Sequence, residues 1–218
     1  MCIRDSRLHW LINYIHSSYH YRMYGWVGDA TTADLQPHMY ADADFAGCTS
    51  TQRSTSGAHV CMRGENTCFP IAASSWRQTC VSHSTPEAEM VALNHALRKH
   101  GLALITLWDT MSDQPARLIV HEDNQALIRV CGSGKNPTMR YLHRTHRISV
   151  AWLHEIFQRK DVLLAYEVSA RMAADIYTKA FNDPDKWRSA CLLISVLPPS
   201  DLEGILTGKL LPAADGQK

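Results

Sequence analysis

The stretch HMYADADFAG, His38 to Gly47, decides the fold. Tyr40, Asp42 and Asp44 alternate with Ala41, Ala43 and Phe45. That is the period of a strand, so both aspartates point to one side. Strands disfavour Asp, and two carboxylates on one face of an apolar strand need a reason. Asp44 has a plain one, because it stands just before the turn at Gly47. Asp42, mid-strand between alanines, does not, and it is the first candidate functional acid.

Working outward, three strand-like stretches follow one another: Met39 to Ala46, Gly57 to Met62 and Phe69 to Ser74. Gly47-Cys48-Thr49-Ser50 and Arg63-Gly64-Glu65-Asn66 separate them, and both are turn material. Links this short make an antiparallel meander. Upstream, Leu8 to Tyr24 is apolar and aromatic, with Leu8, Leu11, Ile12 and Ile15 on a helical stripe; residues 28–37 form a polar connection. Downstream, Ser84-Thr85-Pro86-Glu87 has the spacing of a capping box, with proline tolerated in a first turn. That helix is expected to reach about Lys99. A strand (Arg117 to Glu122), a helix (Asn124 to Val130, closed by Gly132), a helix (Thr145 to Phe157), a strand (Val162 to Val168) and a helix (Met172 to Lys179) complete the pattern. Trp187 to Val196 reads as one more helix. A meander followed by strand–helix alternation implies an α/β fold: a mixed five-stranded sheet, its first three strands antiparallel, with helices packed on it.

The chain has 218 residues, enough for one domain with a core plus appendages. Its formal net charge of +1 leaves nucleic-acid binding to local patches. No apolar run of about 18 residues is present, so no membrane partner is expected. The N-terminus lacks the basic, apolar and small-residue succession of a secretory signal. Seven cysteines without a CxxC pair fit reduced thiols and an intracellular setting. The opening MCIRDS is unlike the rest and reads as non-native.

Three further acids stand out. On a helical wheel Met90, Leu93, Ala96 and Leu97 form the buried stripe of the Ser84 helix. Glu89 falls at the stripe's edge, on the side of the sheet, and taken alone it reads as a solvated edge residue; Glu87 falls toward solvent as a capping residue. Asp123 ends a strand where a helix begins; a helix cap explains it as well as a site does, although ligands favour the carboxyl ends of strands in such sheets. Asp175 has a bland reading as an i,i+4 partner of Lys179. Clustered carboxylates are costly unless a cation neutralises them. Oxygen-only ligands suit Mg²⁺ or Mn²⁺, and two such ions support phosphodiester cleavage.

In combination, YADADFAG (40–47), RSTSG (53–57), SHSTPEAEMVAL (82–93), EDNQALI (122–128), KNPTMRYLHRTHRISVAWLHE (135–155) and AADIYTKAF (173–181) resemble the ribonuclease H domain at the C-terminal end of the Pol polyprotein of copia-type LTR retrotransposons. The motifs stand in that family's order. The resemblance implies a ribonuclease H-like fold and metal-dependent hydrolysis of the RNA strand of RNA–DNA hybrids during reverse transcription. It places the catalytic, metal-holding acids at Asp42, Glu89, Asp123 and Asp175, around two Mg²⁺ or Mn²⁺ ions. It divides the chain into a remnant of the reverse transcriptase end with its connection (1–37), the domain (38–181) and a partly helical tail (182–218). It also implies the reverse transcriptase portion of the same polyprotein as partner, and a cytoplasmic virus-like particle as location. Two departures are visible. No His precedes the last acid in Val168-Ser169-Ala170-Arg171-Met172, and Glu122 stands where the pattern often has an uncharged residue. Neither removes a ligand.

Residues 124–154 contain no Asp or Glu but carry Arg129, Lys135, Arg140, Arg144 and Arg147 with His143 and His146. A basic stretch beside an acidic metal site suits a phosphate backbone. Arg140, Arg144 and Arg147 are the expected phosphate contacts, and Ser84, Asn124 and Gln125 the expected polar ones. Trp152, with Leu153 and Ile156, reads as core. The two histidines lack a second pair that would make a zinc site. Competing readings are a hybrid-binding fragment without turnover and a strand transferase of the same superfamily.

Overall fold

The computed structural model describes residues 3–136, 139 and 141–207. After helix α1 (Ile3–Ser18) and a short strand β1 (Arg22–Met23) come three long strands: β2 (Gln36–Asp44), β3 (Thr55–Arg63) and β4 (Cys68–Arg77). Helix α2 (Thr85–Ala96) continues through a widened π turn (Leu97–Gly101) into α3 (Leu102–Met111). Then follow β5 (Leu118–Glu122), α4 (Gln125–Ser133), α5 (Leu142–Thr145), α6 (Val150–Gln158) and β6 (Val162–Tyr166). Two 3-10 turns (Ser169–Arg171, Asp175–Tyr177), α7 (Pro184–Leu193), β7 (Val196–Leu197) and α8 (Leu202–Leu206) close the described chain.

The main sheet has the order β4-β3-β2-β5-β6. β2, β3 and β4 pair antiparallel, while β5 lies parallel to both β2 and β6. This is the mixed, ribonuclease H-like arrangement expected from the sequence. β2 sits at its centre, so alternation along β2 sends side chains to two covered faces. Met39 and Ala41 join Val60, Met90, Leu93 and Leu97 in the larger core under α2. Tyr40 joins Cys61, Met172, Ala173, Ala174 and Ile194 in a smaller core on the other face.

Several expected elements differ. The helix after Ser84 does not stop near Lys99. Gly101 is buried, and a Cβ there would meet Leu118 Cδ2 at 2.9 Å, so this glycine permits close passage over the sheet and does not end the run. α4 ends at Gly134 (φ +67°) and not at Gly132. The helix expected over 145–157 starts later, at Val150, because Arg147 turns left-handed and Ser149 caps α6; the short α5 precedes it. The helix expected over 172–179 is a 3-10 turn. The turn packs closely on β3, where Ala174, Tyr177 and Thr178 stand against Gly57. In the Leu8 to Tyr24 stretch the helix ends at Ser18, and Leu8, Leu11, Ile12 and Ile15 remain exposed along it. The tail helix starts earlier than expected and gives way to β7, which pairs with β1. No described helix is long and apolar enough to cross a membrane.

Candidate metal centre

Asp42 lies on β2 opposite Gly57 of β3 and is 1% exposed. Glu89 lies in the second turn of α2 and is 4% exposed. Asp123 follows the last residue of β5. These three acids, from a strand, a helix and a strand end, offer oxygen atoms all within 4.8 Å of one another. Ser84 sets the start of α2 by accepting from the Glu87 N–H at 3.3 Å. Asn124 caps α4, accepting from the N–H groups of Ala126 and Leu127 at 3.0 and 3.1 Å.

Asp175 reaches the group through a lysine. Lys179 Nζ lies 2.8 Å from Asp175 Oδ1 and 3.2 Å from Asp42 Oδ1. The i,i+4 pair of the bland reading is therefore present, and it is shared with a buried acid of the central strand. The Thr178 hydroxyl donates to Asp42 Oδ2, and the Ser169 hydroxyl donates to Asp123 Oδ2 at 2.7 Å. Gly57 makes this possible: a Cβ there would meet Thr178 Cγ2 at 2.8 Å and Ala174 O at 2.9 Å. Only a residue without a side chain lets the Asp175 turn lie on β3.

The electrostatics are those of crowded acids in a dry setting. Burial, then the charges of Glu122, Asp42 and Asp123, push the Glu89 carboxyl up to about 10, against the opposing charge of Lys179. Burial and Asp42 push Asp175 up to about 6. Burial alone disfavours the charge on Lys179, yet Asp42 and Asp175 hold it firmly protonated. Glu122, read from sequence as an added charge beside the site, is wholly buried, and burial with the charges of Asp123 and Asp42 raises it well above the usual range. Glu89 Oε2 and Glu122 Oε2 find no hydrogen-bond partner among the described residues. Buried carboxylate oxygens left unsatisfied are costly. A hard divalent cation answers that cost, and an all-oxygen anionic donor set is what Mg²⁺ or Mn²⁺ takes.

Asp44 is confirmed as a turn residue: its Oδ1 accepts from the Thr55 N–H across the β2–β3 link. Glu87 corrects the wheel reading. It is 0% exposed, sealed beneath Tyr141 and His146 of the basic stretch. The wheel missed this because it tracks one helix face and is blind to a loop that covers the other. Gln125, His143, Arg144 and Arg147 are exposed, and Ser84 is partly so. Arg140 lies outside the described residues. Leu153 and Ile156 are buried and Trp152 packs against them, as core. Thr178 and Ser169 were not singled out from sequence as contributors; only the adjacency of Thr178 to Lys179 marked either of them.

No protein-family profile matches the chain. Among solved structures, LC11-RNase H1, isolated from compost by a metagenomic approach, is 18% identical over 66% of this chain and 92% of its own, with a TM-score of 0.46. The N-terminal RNase H domain of Rv2228c from Mycobacterium tuberculosis is 16% identical over 72% of this chain and 97% of its own, with a TM-score of 0.43. The prototype foamy virus protease–reverse transcriptase is 13% identical over 72% of this chain and 22% of its own, with a TM-score of 0.41. These are similarities of chain trace at low identity, and the acidic centre stands on its own geometry.

Proposed function

We propose that the chain is a metal-dependent endoribonuclease that hydrolyses the RNA strand of RNA–DNA hybrids. The observation that carries this reading is the convergence of Asp42, Glu89 and Asp123 within 4.8 Å, with Glu89 Oε2 buried and unpartnered. Asp42, Glu89, Asp123 and Asp175 are the residues that would hold two divalent cations, Mg²⁺ or Mn²⁺. Bound there, such ions lower the pKa of a water and offset charge on the leaving oxygen of a phosphodiester.

The chain's own groups prepare that site. The Thr178 hydroxyl fixes one oxygen of Asp42, and Ser169 fixes one of Asp123, so each carboxylate presents its other oxygen in one orientation. Lys179 offsets the charge of Asp42 and Asp175 while no cation does so. Exposed Arg144 and Arg147 supply positive charge for a phosphate backbone, and Ser84, Asn124 and Gln125 the polar contacts that a hybrid's 2′-hydroxyls accept. The Asn124 side-chain oxygen is engaged in capping α4, which leaves its NH₂ group for substrate.

The motif series from YADAD to ADIYTK supports a narrower reading: a retrotransposon Pol domain of copia type, working beside a reverse transcriptase in a cytoplasmic particle. Residues 38–181 then form the nuclease domain, residues 1–37 the end of the preceding polymerase region and residues 182–218 a tail.

The test is cleavage of a hybrid labelled on the RNA strand, in Mg²⁺ and in Mn²⁺, beside an RNA duplex. The expected result is loss of the hybrid's RNA strand alone, abolished by Asp42→Asn with the fold intact. Cleavage that survives Asp42→Asn, or equal cleavage of the RNA duplex, rejects the reading.

A further inference from the structure

Glu87 is a buried acid that the proposed reaction does not use. Its Oε2 accepts from the His83 N–H at 2.8 Å and from the Tyr141 hydroxyl at 2.8 Å, and its Oε1 takes His146 Nε2 at 3.1 Å. The His146 side chain is 1% exposed and that of Glu87 0%. His83 and Tyr141 also meet edge to face, with ring centroids 5.7 Å apart. The Cys80 thiol adds a further tie, donating to the Thr145 carbonyl at 3.1 Å.

The two side-chain donors to Glu87 lie 54 and 59 residues further along the chain. They bracket α5, which exposes His143 and Arg144, and Arg147 follows directly. Apolar packing would hold this segment with less definition, because it is non-directional. Bonds to a buried carboxylate are directional and short, and leaving one unmade is costly, so they fix a register. The backbone agrees. Arg147 stands at φ +56°, a left-handed conformation that a Cβ disfavours, and the anchored His146 is its neighbour. Glu87 is also two residues from Glu89 on one helix. That helix therefore carries an acid of the metal centre and, a half-turn away, the pin of the basic segment.

We propose that Glu87 is a positioning residue: it locks Tyr141–Arg147 onto the helix that bears Glu89, so that Arg144 and Arg147 meet a nucleic-acid backbone at one fixed offset from the acidic centre. The identity of the substrate rests on the nuclease reading; the ordering of the segment does not.

The experiment compares the full chain with Glu87→Ala, Glu87→Gln, Tyr141→Phe and His146→Gln. Three quantities are measured: amide hydrogen exchange over 142–148, the Kd of a fluorescent RNA–DNA hybrid in Ca²⁺, and kcat and KM in Mg²⁺. In Glu87→Ala, exchange over 142–148 rises about tenfold or more, the scale of one lost hydrogen bond to a charged group, while β2 and β5 stay protected. Kd and KM rise by about the same factor, and kcat at saturating hybrid changes far less. Glu87→Gln, which keeps an acceptor, recovers part of the loss. Tyr141→Phe and His146→Gln shift the same readouts without altering α2, which covers the case of an unfolded Glu87→Ala. Unchanged exchange over 142–148 in a folded Glu87→Ala overturns the proposal, and so does a loosened segment with unaltered Kd. A wild-type chain that binds hybrid without cleaving it rejects the nuclease reading alone and leaves the Kd comparison decisive. A wild-type chain that binds no hybrid overturns both.

Discussion

Glu89 carries the sharpest consequence at the scale of single residues. Its carboxyl stands near 10 in the fold against an ordinary 4.5, so between those values the folded chain keeps a proton that the unfolded chain releases. Its contribution to stability is therefore fully present below about pH 4.5 and declines as the pH rises toward 10. Asp175 acts in the same direction over a narrower window, from 3.8 to about 6. The metal-free chain should lose thermal stability as the pH is raised through neutrality, and Mg²⁺ should restore it. Glu89→Gln should flatten that profile and, without metal, raise Tm at pH 8 by about 2–4 °C for each kcal/mol gained; melting curves with and without Mg²⁺ decide it. Gly57→Ala works through shape. The new Cβ collides with Thr178 and Ala174, so the Asp175 turn must lift. We expect a loss of about 1–3 kcal/mol in denaturant unfolding, and a loss of cleavage larger than the lost stability explains.

At the scale of elements, the strands were legible because alternation is a local signal. YADAD placed Asp42 and Tyr40 on one face of β2 and Ala41 on the other without help from any other segment, and Glu89 was legible because its helix has one clear stripe. The left-handed break before α6 was not. Leu142, Ile148, Leu153 and Ile156 are all buried, so the apolar spacing runs on across a backbone that does not. The turn at Asp175 was missed for a related reason, since its shape is set by contact with Gly57, more than a hundred positions earlier. The break itself makes a prediction of opposite signs. Arg147→Gly relieves the left-handed strain and should stabilise the fold by about 1 kcal/mol, while weakening hybrid binding. Arg147→Ala should weaken binding with no gain in stability. Unfolding curves paired with binding isotherms separate the two effects.

For the whole molecule, the antiparallel pairing of β2, β3 and β4 followed from link lengths, while the sheet order and the two-faced core come from the position of β2 between β3 and β5. What no local pattern conveyed was the fate of α1. Its apolar side chains remain exposed, and its ring contact is Tyr14 against Trp187, with centroids 5.8 Å apart. A chain beginning at residue 20 should thus keep Tm within about 4 °C, the effect of roughly 1 kcal/mol at this size, and should aggregate less in light scattering. Removing β1 as well should cost more, because it pairs with β7 and Tyr24 N–H bonds to Ser195 O at 2.9 Å.

The bond from Thr178 to Asp42 spans 136 residues of chain. Closing so long a loop carries a large entropic cost, and contacts of such sequence separation form slowly. During synthesis the meander and α2 can assemble while the residues that complete the acidic centre do not yet exist. The sheet can therefore mature before Lys179 arrives to quiet the repulsion among its acids. On the proposed nuclease reading, cleavage would be the last property the folding chain gains, when the Asp175 turn docks.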